Sequence, residues 1–448
     1  MWVIQKAEPV LAKTTTEGSL GLEALSYWGD KTRSSFFSAL KGDWRGFDQG
    51  NLLETGAEVN FLLTVNNTDF SYLEIPESYV STSSLLGFAQ FQIGRKIEIW
   101  NKLDDYWALG IWQPRFRWDY IDPQRVGLIG GFFKVNTPHF QFLTFASSSF
   151  LPERGANMEY VDGRYVSASR WFSGLPSQAR LSGVAVPIQY QLVMPSLGQL
   201  TSHPGVSFLA RVGRIRGFWS SAAFALKPMN QLLIGYEGTI DLNSQALDVT
   251  LHPRVAYHQL YSLDAGYVGE KWGNWISVLR ENPIRDITPA TWTTQEVSDA
   301  LALSTGVDLE LYKTNGDASK LGLSYLRVFG GNALDNGPFA KASQSTFEPR
   351  YPFINAISIK FNTHVPWISS YLKEWSSELA AVVQGIYDFN QQGSIVTAQL
   401  KYSFKNSFIV NLGMDVISSD RVSNDSNGDF FNRYRANDRV YGGIVYVF

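Results

Sequence analysis

Apolar and polar residues alternate along most of this chain with a period of two. From Phe408 to Val416, one side of the segment carries Phe408, Val410, Leu412, Met414 and Val416, whereas the other carries Ile409, Asn411, Gly413 and Asp415. Successive side chains of a β-strand point to opposite faces, so each such segment is a strand with one apolar face. About 19 segments fit this pattern, and helix-like segments are few and short. The sequence therefore predicts an all-β protein of many antiparallel strands.

The breaks between the strand candidates range from tight turns to long loops. The Asn-Gly pair within Thr314–Asp317 accepts the positive φ that a tight hairpin turn requires. Irregular stretches rich in Gly, Pro, Asn and Asp are predicted as loops over residues 29–50, 100–125, 148–187, 281–300, 330–352 and 418–437. No low-complexity linker divides the chain, so we expect a single domain over residues 1–448.

The composition excludes several classes of protein. Charged residues make up only 18% of the 448 residues, and the net charge is −3. A nucleic-acid partner would require a basic surface, so none is expected. The absence of cysteine excludes disulfides and thiolate metal sites. No apolar run of about 20 residues predicts a membrane-spanning helix. The first residues lack the pattern of a secretory signal, so an exported protein would have lost its signal before this numbering begins.

Strands with one apolar face fit two architectures. In a soluble sandwich or propeller the apolar faces point inward, whereas in a membrane barrel they point toward lipid and the polar faces enclose a lumen. Two features favour the barrel before the last strand is considered. The polar faces carry few of the dense Lys/Glu pairs of a soluble surface. Aromatic residues also lie near predicted strand ends, as in interfacial girdles: Trp28, Trp100, Trp219, Trp272, Trp275, Tyr402 and Phe404.

The last strand gives a third and more specific indication. Its apolar face consists of Val440, Gly442, Ile444, Tyr446 and Phe448. These residues resemble the C-terminal signal of Gram-negative outer-membrane β-barrels, in which the final strand ends in Phe and is read by the barrel-assembly machinery. Together with the preceding strand from Phe408, they also resemble the final hairpin of porin-like proteins. A further segment, residues 79–96, resembles a porin-type hairpin whose second strand ends in a Gly-Arg pair.

The resemblance implies a single transmembrane antiparallel β-barrel in the bacterial outer membrane. Large bacterial barrels have even strand numbers, so we predict about 18 strands, with 16 as the alternative, and long loops on one side. Residues 1–17 are predicted to be a non-barrel N-terminal segment. The implied partners are outer-membrane lipid and lipopolysaccharide, the barrel-assembly machinery, and either further copies of the chain or subunits of an envelope complex.

No motif for catalysis, a cofactor or a metal is recognised. None of the five histidines belongs to a metal-binding pair, and His252 and His258, predicted on one strand, would lie about 20 Å apart. The segment Ser423–Phe431 fails as a calcium loop because Tyr434 stands where a bidentate Glu belongs. We therefore predict that the protein is not an enzyme and has no catalytic residues, no cofactor and no metal site.

The segment Trp100–Gln124 is the strongest candidate for a functional site. It combines tryptophans with the charged residues Asp104, Asp105, Arg115, Arg117, Asp119 and Asp122. Arginines that face acids across a lumen create a transverse field at a constriction. The segment is thus either a constriction loop folded into the barrel or a loop that caps the mouth and buries its own aromatic rings. A second cluster, with Arg433 and Arg435, either lines the lumen or anchors the rim in lipid headgroups.

Three functions are compatible with these observations. The first is a porin-like channel for passive diffusion of small hydrophilic solutes, with the Trp/Arg/Asp-rich loop as its constriction. The second is a barrel that anchors a multiprotein cell-envelope complex and whose lumen is blocked by loops. The third, an outer-membrane hydrolase, would need a Ser-His pair at the rim. We rank the channel first and the hydrolase last.

Overall fold

The computed structural model describes residues 13–29, 35–49, 52–82, 88–172, 174–181, 183–214, 216–241, 245–314, 317–338, 340, 350–364, 376–404, 407–421 and 429–448. Eighteen antiparallel strands form one sheet. In chain order they are Lys13–Tyr27, Phe36–Gln49, Leu53–Thr64, Tyr72–Thr82, Ala89–Lys96, Leu128–Asn136, Phe140–Ser147, Gly205–Gly213, Gly217–Pro228, Tyr257–Val268, Trp272–Ile284, Ala300–Thr314, Asp317–Gly330, Asn355–His364, Ser376–Asp388, Gly393–Phe404, Phe408–Ser419 and Arg439–Val447.

The sheet closes on itself because the first strand pairs with the last. Ser19 lies opposite Val447, and Tyr27 lies opposite Arg439. Gly18 and Phe448 exchange two backbone hydrogen bonds of 3.0 Å. Closure leaves no unpaired strand edge to face lipid, which confirms the prediction of a transmembrane barrel with 18 strands. The first strand begins at Lys13, so residues 13–17 belong to the barrel and not to the predicted N-terminal segment; residues 1–12 lie outside the described residues.

Connections differ in length between the two ends of the barrel. At the end that carries the chain termini, the turns that the structure describes in full are short, for example residues 137–139 and 269–271. At the other end, loops of very different length connect the strands, and the longest span residues 97–127 and 148–204. Long loops on one side were predicted and are confirmed. The predicted loop over residues 29–50 was wrong, because Phe36–Gln49 is the second barrel strand.

The long loops fold into a second sheet of six strands, which we call the loop sheet. Its strands, in spatial order, are Gln178–Leu181, Val184–Leu192, Ala246–Arg254, Leu233–Asp241, Thr293–Val297 and Ala333–Asn336. Ile188, Tyr190, Val249 and Leu251 form its buried cluster. The alternating segment at 232–242, one of the strand candidates, is therefore a loop-sheet strand and not a barrel strand. His252 and His258 lie on different strands, contrary to prediction.

Short elements complete the loops. Two-stranded ribbons pair Glu159–Val161 with Arg164–Val166 and Arg115–Phe116 with Gln124–Arg125. The helices within the described ranges are a 3₁₀ turn at Thr68–Phe70 and three α-helices at Lys102–Trp107, Leu197–Thr201 and Phe430–Tyr434. In this part of the chain, no helix is long and apolar enough to cross a membrane.

The outer face of the barrel is apolar. In the strand Tyr257–Val268, for example, Ser262 and Asp264 are buried on the inner face, whereas Leu263 between them is 62% exposed on the outer face. The same alternation exposes Leu22, Ile276, Ile359 and Leu412 on other strands. Aliphatic side chains that face outward all around the ring match a lipid environment, as the transmembrane prediction requires.

The interior is polar only in part. Near the long loops, inward residues such as Leu260, Leu279 and Leu326 are fully buried against loop residues that include Trp107 and Phe353. This dry cluster differs from the predicted hydrophilic interior, and it forms because loop side chains fill the barrel where water would otherwise stand. The predicted aromatic girdle was wrong for Trp100 and Trp275, which are buried inside the barrel; Trp28 and Trp272 are exposed.

Candidate functional site

Residues 97–127, which we call the inserted loop, fold into the lumen. Asn101 caps the helix Lys102–Trp107 by accepting a hydrogen bond from the backbone N–H of Asp104. The indole Nε1 of Trp107 donates to Ser304 Oγ on the barrel wall at 2.9 Å. The helix therefore lies against the inner face of the barrel and not above its mouth.

A buried carboxylate on the wall holds the start of this helix. Asp264 Oδ1 accepts from Asn101 Nδ2 at 2.7 Å and from Ser277 Oγ at 2.5 Å. Asp264 Oδ2 accepts from the backbone N–H of Lys102 at 3.2 Å and from Ser221 Oγ at 3.2 Å. Hydrogen bonds to an ionised acceptor are stronger than those between neutral groups. Because both oxygens of Asp264 are occupied, the inserted loop has a defined position on the wall.

The inserted loop also packs on itself. Asp104 is buried, and its two oxygens accept from the backbone N–H groups of Ile111 at 2.9 Å and Trp112 at 3.0 Å. The rings of Trp100 and Trp112 stack with centroids 5.7 Å apart. The sequence left two interpretations of this segment, and the structure has a feature of each. The loop folds into the barrel, as a constriction loop would, and it also buries its own aromatic rings, as was expected of a cap.

Arg115 and Arg117 hold the second half of the inserted loop. Arg117 Nε donates to Glu153 Oε2 at 3.1 Å, and its Nη2 donates to the carbonyl oxygen of Leu109 at 2.7 Å. Burial lowers the pKa of Arg117, but the adjacent Glu153 carboxylate outweighs this effect and raises it above its ordinary value. Arg115 Nη2 donates to the carbonyl oxygen of Asp104 at 3.2 Å. Both side chains are almost fully buried, so they contribute mainly to the shape of the loop.

Asp119 ties the inserted loop to the last strand. Arg439 Nη1 lies 2.5 Å from Asp119 Oδ2, and Arg439 Nε lies 2.5 Å from Asp415 Oδ2 on the neighbouring strand. The Asp415 and Arg439 side chains are nearly buried. The inserted loop is therefore held on opposite sides of the barrel, by Asp264 and by Arg439.

The space that the inserted loop leaves open is a water-accessible cavity of about 860 Å³, which we call the passage. It lies between the loop and the strands on the side of the barrel away from Asp264. The described residues that line it include seven cationic and four acidic side chains: Arg45, Lys96, Lys102, Arg115, Arg117, Arg125 and Lys360, with Glu58, Glu77, Asp105 and Asp122. The passage is thus polar, with an excess of positive charge.

Ion pairs neutralise only part of this charge. Arg45 pairs with Glu58 at 2.6 Å, Lys96 with Glu77 at 3.1 Å, and Arg125 with Asp105 at 2.9 Å. Arg117 is paired with Glu153, as described above. Lys102 and Lys360 form no ion pair with any residue in the described ranges. Lys102 lies on the inserted loop, and Lys360 lies on the strand Asn355–His364. The two uncompensated positive charges therefore border the passage on two different sides.

Asp122, one of the acids that line the passage, has a raised pKa. It faces the lumen, but the surrounding barrel removes part of its hydration. This burial raises the pKa of Asp122, and the nearby Asp119 carboxylate raises it further, whereas Lys41 and Arg439 act in the opposite direction. Asp122 therefore takes up a proton at a higher pH than an ordinary aspartate.

Comparisons with known proteins agree with this geometry. No protein-family model matches the chain, and no curated protein matches it. Solved structures match almost the whole chain: OccAB3 of Acinetobacter baumannii is 11% identical, with a TM-score of 0.50 over 97% of this chain and 99% of that one. The chain has the fold of the porin-like outer-membrane β-barrels.

Two further solved structures match with TM-scores below 0.5. OccAB4 of the same organism is 9% identical, with a TM-score of 0.49 over 97% of this chain and 98% of that one. OmpT, an outer membrane protein of Vibrio cholerae, is 8% identical, with a TM-score of 0.43 over 98% and 99% of the two chains. At such identities the likeness concerns the fold alone.

The porin-like barrel brings some of the predicted site residues together. Asp105, Arg115, Arg117 and Asp122 line the passage. Asp104 supports the loop from within, and Asp119 binds Arg439. Arg433 lies on the helix Phe430–Tyr434, and Arg435 caps its end; neither lines the passage. Most of the segment 423–431 lies outside the described residues.

The terminal residues of the porin-like barrel lie as the alternation predicts. Ile444, Tyr446 and Phe448 are exposed on the outer face, at 56%, 44% and 60%. Val440 and Gly442 share this face by alternation. The ring of Phe448 covers Gly18, where an added Cβ would meet the ring at 2.6 Å. The glycine thus allows the last aromatic ring to lie across the seam of the barrel.

Sequence reasoning missed the strand residues that complete the passage. Arg45, Glu58, Glu77, Lys96 and Lys360 come from five different strands of the barrel wall. Each is a charged residue on an inward position of a strand, and this signal is present in the alternation. What the alternation does not contain is which strands face the inserted loop. The described residues include no group of three or more His, Asp or Glu side chains that could hold a metal ion.

Proposed function

We propose that this porin-like barrel is a channel of the bacterial outer membrane for the passive diffusion of small hydrophilic solutes, with a preference for anions. The observation that carries the proposal is the polar passage beside the inserted loop, in which cationic side chains outnumber acidic ones. A lumen lined by one excess charge raises the local concentration of the opposite ion. Lys102 and Lys360 supply the charge that no ion pair among the described residues cancels.

We infer that the inserted loop is the constriction of this channel. Its helix lies against the wall at Asp264, and its other side is bound to Arg439. These two attachments favour a fixed narrowing over a loop that swings. The charged residues on its passage side, Asp105, Arg125 and Lys102, would then meet a passing solute.

Conductance measurement tests the channel. The purified full-length barrel is inserted into planar lipid bilayers, first in symmetrical KCl and then under a tenfold KCl gradient. We expect steady, ohmic current steps and a reversal potential whose sign indicates chloride preference. A cation-selective reversal potential would overturn the anion preference, and a complete absence of current from folded protein would overturn the channel.

The anchor of an envelope complex is the second candidate. Two observations favour it: the inserted loop occupies much of the lumen, and the loop sheet is a folded layer with exposed apolar side chains such as Val184 and Ile240. Folded protein that carries no current in the bilayer experiment would support this function instead.

We propose no enzymatic role. His258 is the most deeply buried of the five histidines, and its Nδ1 lies 2.6 Å from Glu281 Oε1. The same carboxylate accepts from both Arg350 and Tyr351. Such a network connects strand and loop and offers no nucleophile, which supports a structural role for His258.

A further inference from the structure

Two arginines lie on the outer face of the barrel next to the long loops. Arg280 belongs to the strand Trp272–Ile284 and Arg327 to the strand Asp317–Gly330. Their sequence neighbours Leu279, Glu281, Leu326 and Val328 are buried on the inner face. Alternation therefore places both guanidinium groups outside, and we call them the rim arginines.

The rim arginines are close to one another across the sheet. Arg280 lies opposite Leu301, and Leu301 lies opposite Phe329 on the next strand. The guanidinium of Arg327 lies 5.1 Å from the ring centroid of Phe329, so it reaches this row. Two strand spacings amount to about 10 Å. The two charges thus flank a short apolar row in which Leu301 and Phe329 are exposed.

The rim arginines mark a boundary on the outer face. The strands concerned are the four neighbours Tyr257–Val268, Trp272–Ile284, Ala300–Thr314 and Asp317–Gly330. On the side of the chain termini, their outward residues include the exposed apolar side chains Leu263, Ile276, Leu303 and Leu323. On the side of the long loops, the next outward residues are Asn282 and Gln259, which lie opposite each other, and they are followed by Tyr257 and Ile284. Tyr261 lies opposite Arg280 at the level of the boundary. Aromatic rings beside arginines are typical of the level at which lipid headgroups lie.

Neither rim arginine is paired with an acid in the part of the chain that the structure describes. Arg280 Nε donates to Asn282 Oδ1 at 2.9 Å, and Arg327 Nη1 donates to Asn390 Oδ1 at 3.0 Å. A guanidinium has five N–H donors, so most of the donors of both groups point outward without a protein acceptor. Inside the same barrel, Arg45, Arg125 and Arg439 each bind a carboxylate. The rim arginines therefore lack the carboxylate partner that these inner-face arginines have among the described residues.

We propose that Arg280 and Arg327 bind phosphate groups of an anionic lipid in the leaflet next to the long loops. The planar fork of a guanidinium matches phosphate oxygens in a bidentate manner. Leu303 and Leu323, which are exposed on the side of the chain termini, lie where the first acyl carbons would run. A headgroup with two phosphates fits two cations at this separation. The inference depends on the outer-membrane location and is independent of whether the barrel conducts.

Lipid binding to the purified full-length barrel tests the inference. Native mass spectrometry counts lipids retained from detergent micelles, with diphosphoryl lipid A as probe, the same glycolipid without phosphates as the matched probe, and inorganic phosphate as a competitor. The test variant is Arg280→Gln with Arg327→Gln. The control variant is Arg211→Gln, because Arg211 is an arginine of a barrel strand whose guanidinium lies 4.5 Å from the Trp219 ring and belongs to the inner face.

We expect the unaltered barrel and Arg211→Gln to retain the diphosphoryl lipid, and the double variant to bind it about a hundredfold more weakly, since each lost charged contact corresponds to roughly tenfold. The two single variants give intermediate values, and they serve as the test if the double variant does not fold. Equal retention by the double variant, or equal retention of the phosphate-free glycolipid, would overturn the inference. Displacement of the lipid by millimolar inorganic phosphate would assign the site to free anions and overturn the lipid assignment.

Discussion

The side-chain amide of Asn101 donates a 2.7 Å hydrogen bond to the carboxylate of Asp264, which lies 163 residues later in the chain. Through this bond the cap of a short helix is attached to the inner wall of the barrel. Ser277 joins the two groups, because it accepts from Asn101 and donates to Asp264. A loop that is held in this manner has one position in the lumen, and this position decides where the passage lies.

Replacement of Asp264 by Asn is therefore expected to loosen the inserted loop. The new amide would direct a donor at groups that already donate, and an unsatisfied buried donor costs about 1–3 kcal/mol. Single-channel recordings should show more frequent conductance fluctuations than the unaltered barrel. Asp43→Asn serves as the control, since Asp43 accepts from Ser19 and has no bond to the loop. Equal open-channel noise in both variants would contradict an anchoring role for Asp264.

Removal of the two unpaired lysines should weaken the anion preference. In Lys102→Gln combined with Lys360→Gln, the passage loses two charges that no described acid neutralises. The interaction energy between a fixed unit charge and an ion in the water of the lumen is on the order of 1 kcal/mol. We therefore expect the ratio of chloride to potassium permeability to fall roughly two- to fivefold. Reversal potentials under a KCl gradient measure this ratio. Lys134→Gln is the control, because Lys134 is paired with Glu98 at 3.1 Å.

The selectivity should also depend on pH through Asp122. Its pKa is raised, so the carboxylate is protonated at a higher pH than an ordinary aspartate as the solution is acidified. Protonation removes a negative charge from the passage, and the anion preference should therefore increase as the pH falls. Asp122→Asn should show the higher preference already at neutral pH and lose this step. A pH profile that Asp122→Asn leaves unchanged would show that another group titrates; Asp43→Asn is the reference variant, because Asp43 does not line the passage.

Substitution of Arg439 by Gln should destabilise the barrel at its seam. The change leaves Asp415 and Asp119 without their cation, and the loss of one partner from a buried ion pair costs about 3–5 kcal/mol. The folded form in detergent should convert to the unfolded form at a lower temperature, which the band shift on unheated gels records. Restoration of stability in a variant that also carries Asp415→Asn would show that the unpaired buried carboxylate causes the loss. A melting temperature equal to that of the unaltered barrel would contradict this account.

Phe448 allows a test of the assembly signal. Phe448→Ala retains the backbone bonds to Gly18 but removes the exposed terminal ring. We expect less folded barrel in the outer membrane of cells, because the barrel-assembly machinery would recognise the terminal ring. The folded fraction after refolding in detergent should be unchanged, because folding in detergent does not involve this machinery. Phe408→Ala is the matched control, as Phe408 is an exposed aromatic residue that packs 5.1 Å from Tyr446 on the same face. An equal loss for both variants would argue against a specific signal at Phe448.

The predictable part of the molecule is the part with strict periodicity. Residues such as Leu412 and Asp415 alternate at every second position, and the backbone geometry of a strand translates this directly into an outer and an inner face. Leu233–Asp241 has the same alternation and yet belongs to the loop sheet. The alternation of apolar and polar residues indicates that one face of a strand is buried or exposed to lipid. It does not indicate which sheet the strand joins.

The candidate site shows the same division. The charged residues of the segment from Trp100 to Gln124 could be recognised from their composition, and four of them line the passage. The interior aromatic cluster could not be predicted from the sequence. Trp100 lies near a strand end, and its local sequence pattern is the same for a tryptophan in an interfacial girdle and for one in the lumen. Its burial depends on Trp112 and Phe145, with which it forms ring contacts.

From the amino-acid order alone, strands with one apolar and one polar face could be derived, because strand periodicity is a local property of the chain. The barrel was an implication of the resemblance of the last strand to outer-membrane β-barrels. The course of the passage required the tertiary structure. It depends on contacts such as Asn101 with Asp264 and Asp119 with Arg439, which join residues that are far apart in the chain. The energy of those contacts arises only after the barrel has closed and the loop has entered it.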